Sequence, residues 1–343
     1  MDAVFAPASA DAAIIAQMAW VLVAGAALVF GGVMLLMGLS LRRRTGALRP
    51  GLWIVGGGLL LPIAVLSALM AYNVRRSTQL VMQTSQGALV VSVTAKMWWW
   101  EVRYADPAGG ADIVLANELH LPAGRPVYLA LTSTDVIHSF WVPALAGKMD
   151  MVPGRMTGLA LRPSRPGVYR GQCAEYCGLQ HARMALHVVV EPPAAFNAWL
   201  AHEARPQPFP SARASAGNAD AGGNAASGEP RARLALGRSA FEQHCAACHA
   251  VRTAAGRPGP GAGPESEPAP APARAKLPGA GPDLTHVASR MYLAAGTLRK
   301  GPGALAAWIT DPHVHKPGVR MPAAAGMDPA TLQALAAYLE QLK

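Results

Sequence analysis

Hydrophobic residues along this chain fall into three textures. Residues 13–41 (AIIAQMAWVLVAGAALVFGGVMLLMGLSL) and 52–74 (LWIVGGGLLLPIAVLSALMAYNV) are apolar runs without a single charge. Each exceeds the roughly 20 apolar residues a helix needs to cross a bilayer, so the pattern predicts a transmembrane helical hairpin. From residue 88 the runs shorten: ALVVSVT (88–94), RPVYLALTS (125–133), GRMTGLALR (154–162) and ALHVVVE (185–191) alternate with Pro, Gly and Asp. Strand-type residues broken by turn signals at this spacing predict a small β-sandwich or barrel. The third texture is helical. It leads into Cys-Ala-Ala-Cys-His at 245–249 and closes with MDPATLQALAAYLEQLK (327–343). There Leu332, Leu335, Leu339 and Leu342 share one face, Asp328 can cap the helix and Pro329 fits its first turn.

Two stretches carry almost no large apolar residue. Residues 202–230, rich in Ala, Gly, Ser and Pro, read as a flexible linker, and 254–280 as an exposed loop inside the last unit. The expected organisation is a multidomain membrane protein: hairpin 1–80, β domain 81–201, linker 202–230 and all-α domain 231–343.

Charge refines the picture. Arg42, Arg43, Arg44 and Arg49 lie between the apolar runs, against Arg75 and Arg76 after them. The positive-inside bias makes the connecting loop cytoplasmic and sends both domains to the opposite side. No Asp or Glu occurs from residue 12 to 100, so the hairpin offers no carboxylate relay and reads as an anchor. The net charge of +10 comes from scattered residues on an exported, membrane-bound chain, which argues against a nucleic-acid partner.

Only four cysteines occur, in two pairs. Cys245, Cys248 and His249 form C-x-x-C-H, the attachment signature of c-type haem. Two thiols on one helical turn can bond both vinyl groups while the histidine is held beneath the ring. A redox disulfide or half a zinc site is the alternative, but no second cysteine pair follows in this domain. KPGVRMPAAAGM (316–327) offers Met321 and Met327 as the opposite ligand, with His313 and His315 just before. Thioether opposite imidazole raises the iron potential. Met321-Pro322 and GPDLTH (281–286) resemble the corresponding parts of class I cytochromes c.

The other pair lies in GQCAEYCGLQHARM (171–184). In an oxidising compartment Cys173 and Cys177 could form a disulfide. Yet His181 and Met184 follow at three- and four-residue spacing, and TDVIHSFWVP supplies His138. Thiolate, thioether and imidazole on a β-barrel select copper, with zinc the second metal. Two thiolates on one loop can bridge a copper pair, each ion keeping one histidine.

These residues carry a resemblance. His138-Ser-Phe-Trp and the Cys173/Cys177 loop with His181 and Met184 are similar to the dinuclear copper (CuA) site of cytochrome c oxidase subunit II. The likeness takes in the two-helix anchor, KMWWWEVRY (96–104) and GKMDMVPGR (147–155). The last domain resembles the bacterial subclass in which subunit II is fused to a cytochrome c. The resemblance implies a cupredoxin-like Greek-key β-barrel. His138 and Met184 would complete one copper, His181 and the Glu175 carbonyl the other, with Cys173 and Cys177 bridging both. Haem c would be held by Cys245, Cys248, His249 and Met321. The Glu175 side chain would face a magnesium or manganese ion shared with the catalytic subunit, near Asp150. Trp98 would be the exposed aromatic where electrons arrive from cytochrome c; strand alternation puts Trp98 and Trp100 on one side and Trp99 on the other. Many relatives carry a glutamate in the second membrane helix shortly before the proline matched by Pro62; WIVGGGLLLP has none.

The function so implied is electron input to a haem–copper terminal oxidase of the bacterial inner membrane, with both redox domains periplasmic. Electrons from cytochrome c would pass through the fused haem c and CuA to subunit I, where oxygen is reduced to water and protons are translocated. Subunit III is a further partner. The alternatives are the CuA subunit of a nitric oxide reductase and a membrane-tethered electron carrier. His120, His187, His202, His244 and His286 stand singly in the sequence and read as surface or structural.

Overall fold

A computed structural model describes residues 4–42, 49–80, 87–207, 228–252 and 281–343. The arginines at 43 and 44, most of the expected linker and the expected loop 254–280 lie outside these residues. Helices α1 (Ala10–Arg42) and α2 (Leu52–Ser77) are each long and apolar enough to cross a membrane. The first part of α2, Leu52–Leu60, winds in the wider π form through Gly56, Gly57 and Gly58. Most large apolar side chains of both helices are exposed in the isolated chain, a surface that requires lipid or protein around it.

The start of α1 also does something hydropathy does not report: it packs on the β domain. Ala8, Ala12 and Ala16 are buried. The Asp11 carboxylate receives the Arg162 guanidinium at 2.6 Å and the Arg162 backbone N–H at 3.0 Å. Ser9 caps the helix by accepting from the Ala12 N–H at 2.9 Å, and its hydroxyl donates to the Leu145 carbonyl.

The β domain has ten strands: β1 (Leu89–Lys96), β2 (Trp99–Tyr104), β3 (Ile113–Ala116), β4 (Glu118–Pro122), β5 (Val127–Ser133), β6 (His138–Trp141), β7 (Met149–Met151), β8 (Thr157–Leu161), β9 (Gly167–Cys173) and β10 (Ala185–Glu191). They form two five-stranded sheets, ordered β3-β2-β1-β5-β8 and β4-β10-β9-β6-β7. One parallel pair sits in each sheet, β1 with β5 and β4 with β10, and the other neighbours are antiparallel. Val91, Val93 and Ala95 alternate inward on β1 and meet Leu129, Leu131, Phe140, Leu186 and Val188 in one core. This is the cupredoxin-like arrangement, and the four predicted runs became β1, β5, β8 and β10.

The strand reading of Trp98 does not hold. β2 begins at Trp99, so Trp98 lies in the turn before the strand, where alternation has no force. Trp100 is 0% exposed in the core, edge-on to Phe140 at 5.7 Å. Helix α3 (Pro193–Glu203) closes the barrel, with Phe196 and Leu200 in its core.

The last domain is built on α4 (Gly228–His244), α5 (Ala304–Thr310), α6 (Pro312–His315) and α7 (Pro329–Leu339), plus a ribbon of β11 (Tyr292–Leu293) with β12 (Leu298–Arg299). Its core joins Phe241, Ile309, Leu335, Leu339 and Leu342. Helix α4 crosses α7 at Gly237, where any Cβ would run into the Ala334 carbonyl. Asp328 caps α7 by accepting from the Thr331 N–H at 3.0 Å, and Pro329 opens its first turn.

Candidate metal and haem centres

The end of β9, the loop after it and the start of β6 meet at one tip of the barrel. The Cys173 N–H bonds the Met184 carbonyl at 3.0 Å and the Ala174 N–H bonds Ser139 at 2.9 Å, which folds the loop back over β6. Five side chains converge there. Cys173 Sγ lies 3.7 Å from Cys177 Sγ and 3.8 Å from His138 Nδ1. Cys177 Sγ lies 3.7 Å from His181 Nδ1 and 3.9 Å from Met184 Sδ. The Glu175 carbonyl turns inward, 3.2 Å from Cys173 Sγ. Both cysteines are free and buried.

A disulfide needs sulfurs about 2.05 Å apart, far closer than this pair. Metal–thiolate bonds of about 2.3 Å at a tetrahedral angle would set two sulfurs roughly 3.7 Å apart. Electrostatics agree with that chemistry. The Cys177 thiol and His138 hold the Cys173 thiol far below the usual range, while Cys173 and burial drive the Cys177 thiol upward. Two thiolates this close repel, and cationic charge between them is what lets both ionise. Burial works against a charged His138, but the Asp135 carboxylate at 2.8 Å from Nε2 and the Cys173 sulfur lift it to about 9. Asp135, which the sequence reading did not single out, also accepts the Met97 N–H at 2.6 Å. It thereby turns Nδ1 of His138 toward the sulfurs and links the tip to the turn carrying Trp98. The indole N–H of Trp98 donates to the Cys177 carbonyl at 2.8 Å.

Outside the sulfur cluster, Lys148 reaches Asp150 at 3.3 Å and Glu175 at 3.7 Å, so the two acids gather around one ammonium on the exposed rim.

A cavity of about 1510 Å³ separates this tip from the helical domain. Cys245, Cys248, His249, Met321 and Met327 line it on one side, and Trp98 on the other. The Cys248 and His249 N–H groups both bond the Cys245 carbonyl at 3.0 Å, a single turn that aims these side chains into the cavity. His249 Nδ1–H donates to the Pro282 carbonyl at 2.8 Å, which leaves Nε2 as the free lone pair. Gly281 permits this approach, because a Cβ there would sit 2.6 Å from the His249 ring. Burial pushes the Cys245 thiol up to about 11, so it stands neutral in the cavity wall. Arg290, only 9% exposed, also lines the cavity, and its buried Nε has no hydrogen-bond partner among the described residues. An anionic haem edge would satisfy it. The donor sets therefore fit a thiolate-bound metal pair in one place and a covalent haem in the other.

Several histidines that stand singly in the sequence are not single in space. His187 stacks on Tyr292 at 3.8 Å, and His120 on Trp199 at the same distance. His202, Glu203 and His286 cluster where α3 meets the helical domain. Both ring nitrogens of His286 are already engaged there, with Gln207 at 2.9 Å and the Arg205 carbonyl at 3.2 Å, so the group serves packing. Apart from His202 and Glu203, neighbours on α3, the partners come from different elements, with no local spacing to reveal them.

Comparison with known proteins follows the same division. Residues 106–191 match the family described as cytochrome c oxidase subunit II, periplasmic domain, and residues 234–343 match cytochrome c. The chain is 32% identical over 263 residues to cytochrome c oxidase subunit 2 of Alkalihalophilus pseudofirmus, spanning 76% of this chain but 63% of that protein. It is 32% identical over 158 residues to cytochrome c oxidase subunit 2 of Lycodon semicarinatus, spanning 41% of this chain and 68% of that one. A crystal structure of the periplasmic domain of subunit II of cytochrome oxidase from Bradyrhizobium japonicum is 28% identical, covering 35% of this chain and 96% of that chain with a TM-score of 0.33.

Proposed function

The chain belongs to the cytochrome c oxidase subunit 2 family, and we propose that it is the electron-input subunit of a haem–copper terminal oxidase. In this reading it takes electrons from cytochrome c and delivers them to subunit I, which reduces oxygen to water and couples the reaction to proton translocation. Subunit III joins them in the bacterial inner membrane, with the β and helical domains on the periplasmic side.

Cys173, Cys177, His138, His181, Met184 and the Glu175 carbonyl would together hold a pair of coppers. Cys245 and Cys248 would attach haem c, and His249 and Met321 would hold its iron. Bound there, copper and haem supply reversible one-electron exchange. The chain's own contribution is to fix the donors: Asp135 orients His138, Pro282 orients His249, and the buried walls exclude water. Trp98, bonded to the Cys177 carbonyl and facing the haem cavity, is the aromatic through which electrons arrive. Glu175 and Asp150 would hold magnesium or manganese at the subunit I contact; in the chain alone Lys148 lies within reach of both.

The observation that carries this reading is the meeting of two unbridged sulfurs at 3.7 Å with His138, His181 and Met184. Metal and haem analysis of the full-length chain tests it. Two coppers and one covalent haem per chain are expected, and Cys177→Ser should lose copper while keeping haem. Zinc in place of copper, or a Cys173–Cys177 disulfide in natively assembled protein, would overturn it. Oxygen consumption by the purified complex, set against nitric oxide consumption, tests the acceptor.

A further inference from the structure

The loop that precedes Met321 sits on the turn that carries Trp98. Lys316 lies between α6 and Met321, and its Nζ donates to the Trp98 carbonyl at 2.6 Å. Only 2% of the residue is exposed, and this bond across the domain boundary is the one hydrogen bond of its amino group among the described residues. On the same side, Arg183 reaches the His315 carbonyl at 3.4 Å, and Gly318 approaches Leu179 so closely that a Cβ would strike its side chain. A second set of contacts lies across the boundary on β4 and β10. Tyr292 stacks on His187 with rings 2° from parallel, and the Met291 N–H donates to Glu118 at 2.6 Å. A carrier that visits its acceptor transiently has no reason to bury a lysine or close-pack a glycine at the meeting face.

We propose that the helical domain is held docked on the β domain, with Lys316 as the positioning residue that seats the Met321 loop on Trp98. This rests on the relay reading above. The face around Trp98 is thereby reserved for the chain's own haem, and an external cytochrome c meets the outer side of the helical domain. The bonded sequence Lys316 Nζ–H to Trp98 carbonyl, then Trp98 indole N–H to Cys177 carbonyl, ties the distal loop of one centre to a ligand of the other.

The two alternatives, docked and roaming, respond oppositely to tether length. Photoreduction of the haem in the copper- and haem-loaded full-length chain gives the haem-to-copper transfer rate directly. For a roaming domain, doubling the segment 208–227 with Gly-Ser residues lowers effective concentration, and hence the rate, by about threefold. For a docked domain the insertion changes nothing. Lys316→Met should slow transfer by at least about tenfold and make it sensitive to the insertion, with haem and copper spectra unchanged. Lys316→Arg, which keeps a donor, should recover part of the rate. Tyr292→Leu loosens the other set of contacts and should give the same new tether sensitivity, in case Lys316→Met does not fold. A wild-type rate that falls threefold on insertion, or a Lys316→Met chain as fast and as tether-insensitive as wild type, overturns the dock. Absence of any haem-to-copper transfer in the loaded wild-type chain would instead overturn the relay on which it rests.

Discussion

Glu203 ends α3 with its side chain 3% exposed, near Arg252, Arg290, Glu118 and Asp283, and with His202 and His286 within 4.0 Å. Burial raises its carboxyl to about 7, only partly opposed by the two arginines, and Oε2 has no hydrogen-bond partner among the described residues. A folded value above the unfolded one means the native chain holds a proton that the unfolded chain has released. Stability is therefore unaffected by this group below about pH 4.5, falls as pH rises towards 7, and levels off above it. The effect is capped at about 3 kcal/mol. Glu203→Gln keeps the shape without the ionisation. In thermal unfolding between pH 4.5 and 7.5 the variant should gain on wild type as pH rises, whereas a constant difference would contradict the assignment. At this scale the sequence already grouped side chains that the fold brings together. Cys173, Cys177, His181 and Met184 share one loop, and Cys245, Cys248 and His249 one turn, so spacing alone exposes them. Arg290, Lys316 and Glu203 act through partners far along the chain, and no spacing signals that; Asp135 stands three residues before His138, within TDVIHSFWVP, a spacing that could have pointed to it.

Among the elements, the crossing of α4 over α7 is the tightest constraint. Gly237 brings the two backbones together, with Ala334 and Tyr338 directly beneath it. Gly237→Ala puts a methyl where backbone already lies, and overpacking of this kind costs about 1–3 kcal/mol. Denaturant unfolding followed at the haem should show a lower midpoint with an unchanged slope; an unaltered midpoint would mean the helices can part without loss. Helix α7 was readable because its leucines repeat on one face and Asp328-Pro329 marks its start. The predicted runs that became β1, β5, β8 and β10 were readable for the matching reason, four to seven strand-type residues between turn signals. Strands β3, β6 and β7 have only three or four residues each, too short for a period to emerge. Trp98 was misplaced because alternation was extended one residue beyond the start of β2.

At the scale of the whole molecule, the hairpin and the β domain are joined by more than sequence. Asp11 accepts two hydrogen bonds from Arg162 and one from its backbone, at a position 8% exposed. Hydrogen bonds to a charged group contribute about 1.5–3 kcal/mol each. Asp11→Asn should therefore raise amide hydrogen exchange over residues 10–16 by roughly tenfold to a hundredfold while leaving the β core protected. Unchanged exchange would show the seat to be held by the buried alanines alone. Composition announced the anchor because apolar length is a local property, but it could not announce that the anchor's first two turns belong to the β domain.

That seat has a mechanical consequence. Helix α1 has 33 residues, about 50 Å of rod, against about 30 Å of hydrocarbon in a typical bilayer. With α1 in a bilayer as proposed, the excess would stand clear of the lipid, bolted to the barrel through Asp11 and Arg162, and the rod would act as a lever arm. A thinner or thicker bilayer that changes its lean would swing the sulfur-lined tip with it, making the aim of that tip sensitive to acyl-chain length.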